Sequence, residues 1–267
     1  MAINRKVSLR AGLTALVLAG SRAGGDPLAA YAGVSHKALI EIGGCTMLER
    51  VVAALAAAPE VGRIIVAIER PEIVAALLPC GKPIVAMAAV SGPGATVAAA
   101  LQAEGTPLLV TTADHALLTP AWVSEFLSAA PDAADATIAL ARREAICAAV
   151  PDTRRTYLRF ADGDYSGCNL FLLRRPAAAG VVRLWQQIEG HRKRPLRMLW
   201  QLGFTYGLRY RFGWLSLDGA LARLGTLSAA RIDFITLRDG KAAVDVDKPA
   251  DLDLVRRLVG SAHDPAK

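Results

Sequence analysis

The chain has 267 residues, of which 53% are hydrophobic, and a formal net charge of +7 at pH 7. This length and apolar fraction allow a sizeable buried core, which excludes a disordered chain, and no uncharged apolar run is long enough to cross a membrane. The four cysteines are scattered without a C-x-x-C pair or a nearby histidine, which excludes a zinc, redox-pair or disulfide framework and predicts a reducing cytoplasm.

The start of the chain allows two interpretations. Arg5, Lys6 and Arg10 precede a short apolar segment at residues 13–19, as in a secretory signal peptide. However, strand-like and helix-like stretches follow directly, as they would inside a domain. We therefore expect the segment to be the first strand of a cytoplasmic domain.

Strand-like and helix-like patterns alternate along the chain. Strands are predicted at residues 14–18, 62–68, 83–86, 107–112, 136–141 and 169–173. Helices are predicted at residues 46–58, 72–78, 95–104, 120–130 and 177–189. Single helices between successive strands indicate βαβ units, so we predict a mostly parallel α/β sheet in one domain of residues 1–267, with its core at 13–259.

A glycine-rich loop follows the first predicted strand. Ligands of parallel sheets lie at the carboxyl ends of the strands, where loop N–H groups can contact anions. This loop, "AGSRAGG", contains neither the Walker A pattern nor a G-x-G-x-x-G that leads into a helix. It carries Arg22, and the long connection of residues 20–35 ends shortly before Lys37. The two cations predict a phosphate-binding site at this edge of the sheet.

Five stretches resemble the MobA-like nucleotidyltransferases, in the order of that family: "LVLAGSRAGG", "HKALIEIGGCTMLERVV", "LLVTTADHALLTP", "YSGCNLFLL" and "AVDVDKPADLDLV". They span residues 13–255, although "GSRAGGDP" departs from the family's usual G-G-x-G-x-R-M. The resemblance implies a three-layer, mostly parallel, Rossmann-like sheet of the nucleotide-diphospho-sugar transferase type. It also implies transfer of NMP from an NTP to a small phosphorylated acceptor, with release of pyrophosphate.

The resemblance also implies which residues form the site. Nucleotidyl transfer depends on positioning and on neutralisation of developing negative charge. Three residues are therefore expected to be catalytic, namely Arg22, Lys37 and Asp114. The nucleotide-binding set is expected to be Leu18, Ala19, Gly20, Ser21, Arg22, Lys37 and Asp114. The alternative for Arg22 is an ordinary solvated loop arginine.

Mg²⁺ is the expected cofactor, because it is held by hard oxygen ligands from one or two carboxylates and the triphosphate. Asp114 follows a buried strand and is the first expected ligand. By the resemblance Asp247 is the second, with Asp245 as its alternate, since residues two apart share a side of an extended segment. Asp114 as a helix cap and Asp247 as a turn residue are the alternatives. Asn169 is expected to bind the acceptor or, alternatively, to fix a loop.

Residues 190–217 differ in composition from the rest of the chain. They contain six Lys or Arg, no Asp or Glu, and six of the fifteen aromatic residues. We predict a helical insertion at residues 190–225 that either packs on the domain, covers the acceptor, or lies peripherally on the anionic inner face of a membrane. No nucleic-acid-binding motif accompanies the charge, so nucleic acid is not expected as a partner.

Two other functions remain open at this stage. A GT-A glycosyltransferase that uses an NDP-sugar shares the architecture, with "DVD" as a metal motif. A degenerate, non-catalytic nucleotide-binding module would account for the altered glycine loop. The sequence predicts an NTP and a small phosphorylated acceptor as partners, but neither the base of the NTP, the identity of the acceptor nor the oligomeric state.

Overall fold

The computed structural model of the protein describes residues 12–21, 24–77, 81–191 and 203–262. The strands are β1 Leu13–Leu18, β2 Glu41–Ile42, β3 Cys45–Thr46, β4 Val61–Ile68, β5 Ile84–Ala88, β6 Leu108–Thr112, β7 Ala136–Arg142, β8 Leu158–Phe160, β9 Gly163–Leu173 and β10 Ile232–Thr236. The helices are α1 Pro27–Tyr31, α2 Met47–Ala57, α3 Pro71–Ala75, α4 Pro93–Glu104, α5 Pro120–Ala129, α6 Arg143–Ala149, α7 Ala178–His191, α8 Phe204–Arg211, α9 Leu217–Ser228 and α10 Pro249–Ala262. Two 3₁₀ turns lie at Lys37–Leu39 and Gly240–Ala243.

One central sheet organises the molecule, with the strand order β10-β7-β9-β6-β1-β4-β5 and with β8 paired to β9. The pairs β6–β1, β1–β4 and β4–β5 are parallel, as is the pair β10–β7. Strand β9 is antiparallel to both β6 and β7. The predicted mostly parallel sheet is thus confirmed, and the loops after β1, β4, β5 and β6 leave it at one edge.

Helices cover both faces of the sheet because successive residues of a strand point to opposite sides. In β1, Ala15 and Val17 join a core formed with α2, α3, α5 and α6, whereas Leu16 joins a second core formed with α4 and α7. All three side chains are fully buried. The predicted three-layer architecture is therefore confirmed.

Several element bounds differ from the sequence prediction. Strand β9 begins at Gly163 rather than at residue 169, because its first half pairs with β8 in a hairpin. Asn169 lies inside β9 with a φ of 49°, and the β7–β9 register shifts between Ile138 and Leu140. Helix α3 ends at Ala75, short of the predicted residue 78. Strand β10 and helices α1 and α6 were not predicted, whereas α8 and most of α9 lie within the predicted helical insertion at residues 190–225.

The region of the predicted insertion is described from residue 203 onward. Helix α8 buries none of its residues, whereas α9 buries Leu217 and Leu221 against a small core that includes Tyr165 of β9. Residues 192–202, which hold four of the six cations, lie outside the described residues. Within the described part of the chain, no helix has the length and apolar character needed to cross a membrane.

Candidate active site

Three of the predicted site residues meet at the carboxyl edge of the sheet. The Lys37 Nζ donates a hydrogen bond to Asp114 Oδ2 at 2.8 Å and another to Asp247 Oδ1 at 2.9 Å. Asp114 and Asp247 lie 77 and 210 residues from Lys37 along the chain. The fold therefore brings one cation and two carboxylates from distant segments into direct contact.

Local structure places each of these side chains. Lys37 begins a 3₁₀ turn that leads into the β2–β3 hairpin. Asp114 follows β6 by two residues, and the Thr112 hydroxyl donates to its Oδ1 at 2.5 Å. The Val246 backbone N–H donates to the Asp114 carbonyl oxygen at 3.0 Å, which ties the segment carrying Asp247 to the end of β6.

The cluster is partly shielded from solvent, with side-chain exposures of 18% for Lys37, 21% for Asp114 and 56% for Asp247. Burial alone would lower the pKa of Lys37, but the charges and hydrogen bonds of Asp114 and Asp247 outweigh it and raise that pKa. Burial raises the pKa of Asp114, and the ammonium of Lys37 opposes this shift. Lys37 is therefore a positive charge at neutral pH.

Asp245, the alternate metal ligand, has different partners. Its Oδ1 accepts a 2.5 Å hydrogen bond from Arg155, and its Oδ2 accepts one from Asn169 Nδ2 at 3.1 Å. Both carboxylate oxygens are thus engaged, whereas Asp247 shares the Lys37 ammonium with Asp114. The arrangement favours Asp247 over Asp245 as the partner of Asp114.

Arg155 is a site residue that sequence reasoning missed. Its side chain is 12% exposed, and the charge of Asp245 raises its pKa although burial opposes this. The only signal in the sequence is the pair of adjacent arginines in "DTRRTY", which does not show which one points inward. The predicted acceptor residue Asn169 contacts the same carboxylate, so Arg155, Asp245 and Asn169 form a polar network beside the lysine cluster.

The glycine loop begins where β1 ends at Leu18. Ala19 is buried and donates its N–H to the Ala67 carbonyl oxygen, whereas Gly20 is exposed. A methyl group on Gly20 would lie 3.1 Å from the Cβ of Ala89, so the loop passes close to the residues after β5. The predicted Arg22 lies outside the described residues, and its role stays a prediction.

Glu69 and His36 hold this loop, and neither was predicted. The Ser21 N–H donates to both carboxylate oxygens of Glu69, at 3.0 and 3.1 Å. The Nδ1 of His36 accepts from the Ala38 N–H, so Nε2 carries the proton of the neutral ring. That Nε2 lies 2.9 Å from Ser21 Oγ and 3.2 Å from Glu69 Oε1.

The contacts of Glu69 and His36 with Ser21, which we call the clamp on Ser21, include a charged carboxylate. Burial would raise the pKa of Glu69, but the backbone N–H groups of Glu69 and Ser21 lower it. The carboxylate therefore occupies a backbone N–H group that the sequence assigned to nucleotide phosphate. Its position directly after β4 was the available signal, because β4 ends at the same edge of the sheet as β1.

His115, next to Asp114, has a structural role. It is 1% exposed, and its ring stacks on that of Trp122 with centroids 6.0 Å apart. Burial lowers its pKa to about 4, although the charge of Asp245 and the backbone of Ala242 oppose this. The ring is therefore neutral at pH 7 and belongs to the core.

The carboxylate pair fits a magnesium ion. Within the described ranges, no group of three or more His, Cys, Asp or Glu side chains is arranged as a metal site. Mg²⁺ does not require one, since it is commonly bound through one or two carboxylates with substrate phosphates and water. Asp114 and Asp247 supply two such hard oxygen ligands, and they already share one cation, the ammonium of Lys37.

Known families and solved structures include several that are similar to this chain. The family described as "MobA-like NTP transferase domain" has a model that matches residues 15–200. Among curated proteins, none matches the sequence. A hypothetical transferase from Thermus thermophilus superposes with a TM-score of 0.78 at 30% identity, covering 90% of this chain and 99% of the other.

Two more distant structures share the fold. The 4-diphosphocytidyl-2C-methyl-D-erythritol synthase of Anaerococcus prevotii has a TM-score of 0.59 at 10% identity, covering 94% of this chain and 96% of its own. A CMP:2-keto-3-deoxy-manno-octonic acid synthetase complexed with CTP has a TM-score of 0.57 at 16% identity, covering 95% and 99%. These likenesses confirm the predicted sheet type.

Proposed function

Since this chain belongs to the MobA-like NTP transferase domain family, we propose that it moves NMP from an NTP to a small phosphorylated acceptor and releases pyrophosphate. The observation that carries this proposal is the cluster of Lys37, Asp114 and Asp247 beside the glycine loop. It places one fixed positive charge and two hard anionic ligands where the loops after β1 and β6 meet. A triphosphate requires these groups.

In the reaction, an acceptor oxygen attacks the α-phosphorus, and the bond from that phosphorus to the pyrophosphate oxygen breaks. The protein's part is to hold the reactants in line and to offset the charge on the leaving pyrophosphate. Lys37 supplies a point charge to the phosphates. In the described part of the glycine loop Gly20 supplies a backbone N–H, because those of Ala19 and Ser21 are engaged by Ala67 and Glu69. Asp114 and Asp247 would hold Mg²⁺, which when bound neutralises phosphate charge.

We assign the acceptor to the neighbouring network. Asn169 has a side-chain amide that can form hydrogen bonds, and the guanidinium of Arg155 binds the same carboxylate, Asp245. Arg155 is already paired with Asp245, so its charge is largely balanced before any acceptor binds. The role of Arg155 is therefore to hold Asn169 and Asp245 in place, rather than to bind an acceptor phosphate by itself.

A nucleotide panel tests the proposal. Thermal shift with CTP, GTP, ATP and UTP, each with and without Mg²⁺, should show stabilisation by at least one NTP that depends on Mg²⁺. Pyrophosphate should then be released when that NTP is combined with sugar phosphates or polyol phosphates. No Mg²⁺-dependent stabilisation by any NTP would favour the non-catalytic binding module, and turnover of an NDP-sugar without pyrophosphate release would favour the glycosyltransferase.

A further inference from the structure

Helix α8 and the residues after it expose an apolar stripe. Phe204, Leu208, Phe212 and Trp214 have exposures of 67%, 41%, 58% and 68%. The first three are spaced four residues apart and so lie on one side of the helix, and the ring of Phe212 stacks on Trp214 with centroids 5.3 Å apart. We call these four side chains the α8 surface. The stripe faces away from the core, because α8 buries no residue.

A groove separates this helix from the β8–β9 hairpin. It encloses about 620 Å³ and is lined on one side by Tyr157, Arg159 and Phe160 and on the other by residues of α8. Its walls are held together by the edge-to-face contact of Phe160 with Tyr210, whose centroids are 5.5 Å apart. The exposed apolar area therefore continues from the helix into a concave region.

Three arginines border the α8 surface. Arg159, Arg209 and Arg211 are all exposed, and none of them forms an ion pair with another described residue. An apolar stripe bordered by unopposed arginines is complementary to a surface that is anionic outside and apolar beneath.

From this combination we propose that the α8 surface docks on an anionic lipid bilayer. Large apolar and aromatic side chains enter the boundary between headgroups and acyl chains, and arginines remain among the lipid phosphates. A second copy of the chain is a poorer occupant, because a two-fold contact through this patch would set its arginines against each other. The docking itself does not rest on the nucleotide chemistry proposed above, whereas its relation to the acceptor side of the site does.

Docking in this way would present the acceptor side of the site to the membrane. Arg155, which binds Asp245, and Tyr157, which lines the groove, are two residues apart on the same segment. The groove therefore lies next in the chain to the segment that carries Arg155 of the Asn169 network, to which the proposed function assigns the acceptor. The surface and the site are joined by this short segment of backbone.

Vesicle flotation with the full chain tests the proposal. The protein should float with vesicles of phosphatidylcholine and phosphatidylglycerol at low salt, and it should remain unbound with vesicles of phosphatidylcholine alone. Binding should fall steeply at 1 M NaCl, because the Debye length shrinks from about 10 Å at 0.1 M to about 3 Å at 1 M. Arg209→Glu/Arg211→Glu should reduce the bound fraction at least tenfold, and Phe204→Ser/Trp214→Ser should do the same.

The matched control is Arg183→Glu/Arg231→Glu, which makes the same change of charge at exposed positions in α7 and at the start of β10. Protein that stays soluble with anionic vesicles at low salt overturns the proposal, and so does equal loss of binding in the control. Two other results also overturn it when the protein does not bind vesicles. These are a dimer in sedimentation, or a complex with duplex DNA, that is lost in the four substitutions at and beside the α8 surface. Thermal shift with NTP should be unchanged in every variant, which separates this test from the test of the proposed function.

Discussion

The ammonium of Lys37 contacts both proposed metal ligands. Its hydrogen bonds of 2.8 and 2.9 Å join carboxylates that are carried by two different segments, one after β6 and one before α10. Two carboxylates that share a site without a cation repel each other, which favours protonation of one of them. Lys37 therefore keeps the site charged and assembled before substrate binds.

Asp114→Asn tests the most central of these side chains. The amide keeps the shape of the carboxylate but removes its charge, so we expect kcat to fall by about 10²–10³, the usual cost of removing one preorganised electrostatic group. The far-UV circular dichroism should be unchanged, because Asp114 lies in a loop and is partly exposed. Asp253→Asn, an exposed change on α10, is the control. Normal turnover in folded Asp114→Asn would contradict the assignment.

Glu69 predicts a pH dependence of stability. Its pKa is lower in the folded protein than the ordinary value of 4.5, so the unfolded chain binds more protons as the pH falls. The stability that Glu69 contributes is therefore present above pH 4.5 and is lost as the pH falls through the folded pKa. Glu69→Gln should be less stable than the wild type at pH 7, and the two should converge in acid.

Urea unfolding from pH 7 downward measures this effect. The exposed Glu41→Gln variant serves as the control, because the Glu41 side chain forms no ion pair with the described residues. Parallel stability curves for Glu69→Gln and the wild type across this range would show that the clamp on Ser21 does not depend on charge.

At the scale of elements, the sequence was informative where one physical signal dominates. Buried parallel strands such as β1 and β6 are continuous apolar runs, so they were predicted within a residue or two. Strand β10 is partly exposed and short, and the first half of β9 is polar, so neither shows such a run. Asn169 lies inside β9 where the pairing register with β7 shifts. Its contact with Asp245 depends on tertiary packing that no local sequence pattern encodes.

The crossing of α7 and α9 offers a prediction at this scale. Gly180 of α7 lies so close to the end of α9 that a methyl group on it would be 1.9 Å from the carbonyl oxygen of Ser228. The helices would have to move apart, and we expect Gly180→Ala to destabilise the protein by about 1–3 kcal/mol.

Gly260→Ala is the matched control for that change. It also replaces a glycine within a helix, α10, but nothing lies within 4 Å of the added methyl group. It should therefore stabilise the protein by about 0.5–1 kcal/mol through helix propensity. Thermal unfolding of the two variants beside the wild type measures both effects, and shifts of the same sign would contradict the close helix crossing.

At the scale of the molecule, the segment around the β2–β3 hairpin shares one core with the C-terminal part of the described chain. Ile40, Ile42 and Met47 pack in the same cluster as residues of the segment before α10 and of α10 itself. That cluster lies directly beneath the hydrogen bond from Val246 to Asp114. The site therefore depends on the same packing that closes the domain, and we expect it to form and to be lost together with the whole fold.

Cooperative unfolding tests this last expectation. Denaturation followed by circular dichroism and by tryptophan fluorescence should give coincident single transitions, as in a one-domain protein. A chain that ends at Asp239 lacks the buried Val244, Val246, Leu252 and Val255. Each contributes about 1.5–3 kcal/mol, so together they rival the about 5–15 kcal/mol by which folded proteins are stable. We expect this truncated chain to lose the cooperative transition. A chain that ends at Ala262 is the control and should keep it. An unchanged unfolding midpoint after removal of residues 240–267 would show that the segment carrying Asp247 is a separable unit.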